Sequence, residues 1–298
     1  MIAERNEVLH FLVAVDGSEH ALAAVRWIAQ IAAAGASLRC TLLNVRRPII
    51  SGAVAPASIA PDERNRGAAD ILEHASAILR PTGLRFAIEE QMDDAAAAVV
   101  ARAQVLGCDA IVIGRRGLGV LRSVLLGSVS AEVVRQSGVP VIIVSPMTAG
   151  LPVVPLRLLV AVDGSESAMR AAAFASRLAA SAAGEVHFLY VEPALTVAGS
   201  ILGSREKVIE HWSGRQAEKV LAGASGLLDR SRVTCAEHVA ASDEPQSAIM
   251  KAARDYSCSI IAMGTRGLGP VTGLLLGSVA QSVLKQAHRE VAAVVLVR

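Results

Sequence analysis

Two glycine-serine segments are the parts of this sequence best fitted to chemistry. Gly114, Gly117, Gly127 and Ser128 follow the spacing Gly-x2-Gly-x9-Gly-Ser, and Gly264, Gly267, Gly277 and Ser278 repeat it. The segments from Gly114 to Val129 and from Gly264 to Val279 are identical at 10 of 16 positions. Glycine lets a backbone approach an oxygen closely, and a helix start offers unpaired N–H groups at the positive end of its dipole. The pattern therefore points to two phosphate-type anion sites; the rival reading is that the glycines only make tight turns.

A second motif is duplicated as well. Residues 12–19 read Leu-Val-Ala-Val-Asp-Gly-Ser-Glu, and residues 159–166 repeat all eight letters. Asp16 and Asp163 end these apolar runs. Each can touch a ligand's hydroxyls or a metal on it, and each can equally anchor an Asp-Gly turn or cap the following helix. Arg115, Arg116, Arg122 and Arg266 lie in or near the glycine segments and can neutralise phosphate.

The elements that must position these residues alternate β-branched runs with helical patterns, the signature of a parallel sheet with crossover helices. In the first half the pattern predicts strands over residues 8–15, 37–45, 84–89, 110–113 and 141–144, and helices over 18–34, 61–79, 95–106 and 128–136. Leu22, Val25, Ile28 and Ala32 form the apolar stripe of the first helix, and Ser18 is its expected N-cap. The second half predicts strands over 156–162, 185–191, 233–238, 259–263 and 291–297, and helices over 165–183, 204–228, 243–256 and 278–287. The proline- and glycine-containing join from Pro146 to Pro155 marks a boundary between domains 1–147 and 155–298. Pro48 to Pro61 reads as a long surface loop.

Composition excludes several classes. The chain has 298 residues and a formal net charge of +2. Charges balance at fourteen of each sign in residues 1–150, against fifteen positive and thirteen negative beyond. No basic run or aromatic stripe supports a nucleic-acid partner. No apolar stretch approaches the ~18–20 residues that span a bilayer, so a membrane partner is not expected and a cytoplasmic location is. Cys40, Cys108, Cys235 and Cys258 show no metal-ligand spacing and read as small apolar residues in a reducing compartment. The seven histidines form no metal constellation.

Neither the Walker loop nor the dinucleotide fingerprint is present. Val-Asp-Gly-Ser early and Gly-x2-Gly-x9-Gly-Ser late in each half instead resemble the ATP-binding branch of the universal stress protein family, over nearly the whole chain as two tandem domains. That resemblance implies two doubly wound, Rossmann-like α/β domains, each a five-stranded parallel sheet of order 3-2-1-4-5. It places ATP, with or without magnesium, across the switch point between the first and fourth strands. Ala14, Val15 and Asp16 would border adenine and ribose, Val45 would hold the adenine edge, and Ile113 and Gly114 would face the ribose. Gly117, Gly127, Ser128, Val129 and Ser130 would surround the phosphates. The second copy offers Ala161, Val162, Asp163, Val191, Met263, Gly264, Gly267, Gly277, Ser278, Val279 and Ala280.

The resemblance also implies pairing of the two final strands, making an internal pseudo-dimer, with further homodimerisation optional. His288-Arg-Glu290 replaces Gly138-Val-Pro140 before the last strand and departs from the family's pattern. The expected function is an ATP-binding stress-response protein whose nucleotide sets its conformation or partner choice. A slow ATPase or a nucleotidyl- or phosphoryl-transfer enzyme is one rival reading, and a non-binding scaffold is another. Efficient phosphoryl transfer needs metal ligands and a group that positions the nucleophile. Neither segment holds Asp, Glu, His or Gln between its outer glycines.

Overall fold

A computed structural model of the chain describes residues 8–46, 67–116, 126–146, 155–194, 206–267 and 276–298. Two compact units emerge, Met1–Val154 and Pro155–Arg298. The expected loop from Pro48 to Pro61, most of the join, Gly117 and Arg122 lie outside the described residues.

The first unit runs β1 (Leu9–Ala14), α1 (Glu19–Ala33), β2 (Leu38–Arg46), α2 (Ala68–Leu79), β3 (Phe86–Met92), α3 (Ala95–Val105), β4 (Ala110–Gly114), α4 (Ser128–Gln136) and β5 (Val141–Val144). Its strands lie in the order β3-β2-β1-β4-β5, and every pairing is parallel. The second unit repeats this as β6 (Arg157–Ala161), α5 (Glu166–Ser181), β7 (Glu185–Glu192), α6 (Glu206–Ser225), β8 (Thr234–Ala241), α7 (Pro245–Asp255), β9 (Ile260–Gly264), α8 (Ser278–Ala287) and β10 (Ala293–Val297). Its order is β8-β7-β6-β9-β10, again all parallel. Within each unit the strands have the expected 3-2-1-4-5 arrangement.

The central strands are mostly apolar because helices cover both faces. Phe11, Leu12 and Ile111 in the first unit, and Phe188, Leu159 and Ile260 in the second, are fully buried. Each such side chain stabilises its sheet by roughly 1.5–3 kcal/mol relative to exposure. The β3 strands and their β8 counterparts sit at the sheet edge and alternate, with Ile88, Met92 and Val239 exposed. In α1 the apolar stripe continues to Ile31 rather than to Ala32, and Trp27 joins it.

The helices begin as their sequences demand. Ser18 Oγ accepts from the Ala21 N–H at 3.2 Å, and Ser165 Oγ accepts from the Ala168 N–H at 3.3 Å. Before each cap the chain must turn sharply off the end of the first strand. Gly17 and Gly164 make that turn at φ 85°, a left-handed conformation that side chains resist. Thus one eight-residue motif supplies strand, turn and cap in both units.

Candidate functional site

The second unit contains a cavity of about 310 Å³ at the carboxyl edge of its sheet. It opens where β6 and β9 lie side by side, with Ala161 opposite Met263. The connection from β6 leads to β7 on one side and that from β9 leads to β10 on the other, so the backbones diverge and leave a crevice. All twelve residues named from the second copy line it. They are Ala161, Val162 and Asp163 after β6, Val191 on β7, and Met263, Gly264, Arg266 and Gly267 around the end of β9. Gly277, Ser278, Val279 and Ala280 complete the set at the start of α8.

Five further lining residues were not foreseen: Ala168, Leu189, Pro245, Ile249 and Thr265. Leu189 was within reach, because it precedes Val191 by two and shares its face of the strand. Ala168 lies one turn inside α5. Pro245 and Ile249 come from α7, which only the assembled fold brings to the crevice.

The glycines do different jobs. A Cβ on Gly264 would collide with Ser167 Oγ and sit 3.0 Å from the Ala168 nitrogen, and one on Gly114 would lie 2.5 Å from the His20 carbonyl oxygen and 2.8 Å from the Ala21 nitrogen. These two glycines let the first helix of each unit press onto the sheet; they serve packing. Gly267 has no room because Asp163 Oδ2 would be 2.6 Å from its Cβ. Gly277 is different. Its φ of −64° suits any residue, and an added Cβ would meet only ordinary contacts at 3.5 Å and beyond.

What Gly277 leaves out is a side-chain cap. It is the N-cap of α8 and, unlike Ser165 before α5, presents no oxygen to the helix start. The first N–H groups of a helix have no intrahelical partner, and here Ser278, Val279 and Ala280 all face the cavity. Gly127 caps α4 in the same bare manner. An anion is the natural partner for such a terminus.

Both aspartates anchor the turn before their helix, the structural role weighed from sequence. Asp16 Oδ1 accepts from the Ser18 N–H at 3.0 Å, and Asp163 Oδ1 accepts from the Ser165 N–H at 2.9 Å. The other oxygen of Asp163 is the one beside Gly267, on the cavity side. Asp163 and Arg266 are the two charged residues among those lining the cavity. Apolar Leu189, Val191, Ile249 and Met263 form much of the remaining wall.

In the first unit Ala14, Val15 and Asp16 follow β1, Val45 lies near the end of β2, and Ile113 and Gly114 close β4. Arg115 is buried and Arg116 half-buried beside it. Burial, and then the neighbouring Arg116 charge, lowers the Arg115 pKa from its ordinary value. Ser128, Val129 and Ser130 begin α4 behind Gly127. The Ser130 hydroxyl donates to the Gly114 carbonyl at 2.9 Å in a buried contact, so it ties helix to strand and is not a spare phosphate donor.

His20 is the other notable neighbour, and sequence inspection passed over it. Its Nδ1 is buried without a hydrogen-bond partner. Burial first, then the charges of Arg116 and Arg115, holds the imidazole below its ordinary pKa. In the second unit Ser167 stands at this position, and its hydroxyl donates to the Arg266 carbonyl at 2.7 Å. The first site is thus more basic, and the second is braced by a neutral hydrogen bond.

Among the described residues no three His, Cys, Asp or Glu side chains come together to hold a metal ion. No helix among them is long and apolar enough to cross a membrane.

Comparison with known proteins agrees with this architecture. The model of the universal stress protein family matches residues 8–145 and again 156–295. The Mycobacterium tuberculosis universal stress protein Rv1996 is 27% identical over 312 residues, covering 95% of this chain and 94% of that protein. Rv2005c of the same organism is 29% identical over 180 residues, and there the match spans 60% of this chain and 59% of the relative's length. A crystal structure of a universal stress protein from Archaeoglobus fulgidus superposes with a TM-score of 0.66 at 22% identity, over 99% of both chains. A solved universal stress protein in complex with cAMP is 27% identical, covers 46% of this chain and 97% of its own, and has a TM-score of 0.37. With both halves matched by one family model, the chain belongs to the universal stress protein family.

Proposed function

We propose that each domain binds an adenine nucleotide, ATP in the first instance, and that its occupancy sets the conformation or partner choice of a cytoplasmic stress-response protein. The observation that carries this reading is the uncapped start of α8 facing a cavity of about 310 Å³ at the switch point of the sheet. Phosphate oxygens would take the N–H groups of Ser278, Val279 and Ala280, with Arg266 adding positive charge. The purine would lie against Leu189, Val191, Ile249 and Met263. Asp163, its Oδ1 committed to the turn, would turn Oδ2 to the ribose hydroxyls or to magnesium carried on the phosphates. Asp16, Gly127, Ser128 and Val129 would serve the first domain in the same way.

Catalysis does not fit this site as well as binding does. Asp163 is the single carboxylate among the lining residues, and no histidine is with it. Among the described lining residues, no second carboxylate or histidine stands beside Asp163 to orient an attacking nucleophile as phosphoryl transfer uses.

Mass spectrometry of the small molecules released on denaturing the purified protein tests the ligand, and calorimetry with ATP tests the stoichiometry. The expected result is an adenine nucleotide and two sites per chain. Release of no nucleotide together with no ATP heat signal would overturn the reading.

A further inference from the structure

Away from the crevice, the second domain carries a line of polar side chains that the proposed nucleotide site does not use. Arg157 Nε, on β6, donates to Glu185 Oε2, on β7, at 2.9 Å. Glu185 Oε1 lies 3.2 Å from His187 Nε2, close enough to act as its counter-charge. His187 Nδ1 then meets His238 Nε2, on β8, at 3.0 Å. The two imidazoles are within 12° of parallel, with centroids 5.3 Å apart. Parallel rings with nitrogens in contact at that separation lie side by side in one plane, joined by an N–H···N bond. Tyr256, the residue that closes α7, lies over both, with its centroid 4.0 Å from His238 and 5.0 Å from His187.

This geometry suits a proton and not a metal ion. A metal needs lone pairs that converge on a third point, whereas these two nitrogens face each other. With the pair neutral, one ring donates and the other accepts. A first added proton goes to an outer nitrogen and leaves the bond in place, with Glu185 close by as counter-charge. A second puts hydrogen on both facing nitrogens, and the bond is lost.

The first domain lacks the device. Leu43 pairs with Ala14 and Glu89 as Leu189 pairs with Ala161 and His238, so Thr41 and Glu89 stand where His187 and His238 do. There Thr41 Oγ1 bonds to the lone His10, and Glu89 pairs with Arg102.

The pair is also mechanically connected to the cavity. His187 shares β7 with Leu189 and Val191, which line it. Tyr256 closes the helix whose other end supplies Pro245 and Ile249. We propose that the His187–His238 pair is a proton-binding site that gates the β7 and α7 wall of the second domain's cavity. The proposal rests on the function above only in treating that cavity as the ligand site.

Burial lowers the affinity of both rings for protons; the His187 charge adds to the effect at His238, while Glu185 opposes and Arg157 reinforces it at His187. Cys258 lies near the same Glu185 and Arg157 charges. The charges on α7 itself are exposed, with Lys251 paired to Asp255 and Arg254 to Glu290. Because both pKa values are depressed, the closed pair is fully stabilising above about pH 6.5, the ordinary histidine value. That stabilisation is lost as pH falls below it toward the folded-state values.

The test is NMR of the full-length protein, free of ligand, from pH 8 to pH 4.5, following the histidine ring nitrogens and the methyls of Val191 and Ile249. The expected result is that His187 and His238 titrate together in two coupled steps. The second step should shift both methyl sets, and His238→Gln should leave His187 titrating in a single step with those methyls quiet. Independent titration of the two histidines, or methyls that do not follow the second step, would overturn the proposal. Since no ligand takes part, absence of nucleotide binding would count against the proposed function without touching this result.

Discussion

The two domains share one backbone plan and diverge in the side chains placed around it. Both use Val-Asp-Gly-Ser to turn from strand to helix, both start the last helix on a bare glycine, and both press their first helix onto a strand-end glycine. Around those fixed points the first domain sets Arg115, Arg116 and His20, while the second sets Thr265, Arg266 and Ser167. The frame is thus duplicated, and the electrostatics is the part that has drifted. That contrast separates what the fold must have from what tunes its crevice.

The largest expected effect breaks the frame. Gly114→Ala would drive a Cβ into the backbone of His20 and Ala21, atoms that cannot swing away. We expect a loss of about 3 kcal/mol in stability, at the upper end of overpacking costs. Gly264→Ala meets first a serine hydroxyl, which can rotate, so about 1–2 kcal/mol is expected there. Denaturant unfolding of the two variants checks the order, and equal losses would show that the two helix contacts are more alike than their distances suggest.

A smaller effect separates binding from folding. Gly277→Val should leave the fold intact, because its Cβ has room, and lower stability by only about 1 kcal/mol, the usual cost of an aliphatic residue at an N-cap. It should weaken ATP binding at one of two sites by at least tenfold, since hydrogen bonds to a charged group are worth about 1.5–3 kcal/mol. Gly127→Val should do the same at the other site. Calorimetry on the two full-length variants then measures each surviving site alone, and undiminished stoichiometry in either would place the phosphates elsewhere.

Those same variants sharpen the comparison. The first site should hold ATP more tightly by about 1 kcal/mol, roughly fivefold, and should lose more affinity as salt is raised. With the Ser130 hydroxyl committed to Gly114, the difference falls on the arginines. Thr265→Arg should narrow it. Tighter binding by the second domain would show that the brace from Ser167 to Arg266 outweighs charge.

The smallest effect concerns the turns before β4 and β9. Gly107 adopts φ 60° after α3, whereas Ser257 adopts φ 52° after α7. Ser257→Gly should raise stability by about 1 kcal/mol by removing the left-handed penalty. A thermal melt of this variant that fell or stayed level would mean that the serine has compensating contacts.

Much of this was legible in the residues. Exact repetition of Leu-Val-Ala-Val-Asp-Gly-Ser-Glu announced two domains, and apolar runs flanked by helical patterns gave the parallel sheets. The second-domain residues named from the motifs all reach one cavity, because motifs at strand ends are carried to one sheet edge by the topology. What escaped was long-range. Pro245 and Ile249 belong to a helix whose neighbours in sequence say nothing of the crevice. The commitment of the Ser130 hydroxyl depends on the Gly114 carbonyl, sixteen residues away. The three aromatic rings of the histidine pair and Tyr256 come from two strands and a helix end, spread over 69 positions from His187 to Tyr256. The glycines were recognised as a group, yet local spacing could not tell Gly114 and Gly264, held by packing, from Gly277, which packing leaves free.

That last distinction matters for anyone improving the protein. Gly277 is an obvious target for stabilisation: aspartate or serine there would cap α8 and recover a few tenths of a kcal/mol, the usual difference from glycine at such a position. The backbone would accept either residue. The new side chain would, however, occupy the N–H groups that a phosphate is proposed to take, so the hardier variant would be the one deaf to its signal. On the proposed function, a bare helix end gives up a little robustness to leave its N–H groups open to an anion, and library selections for thermal endurance alone should close it first.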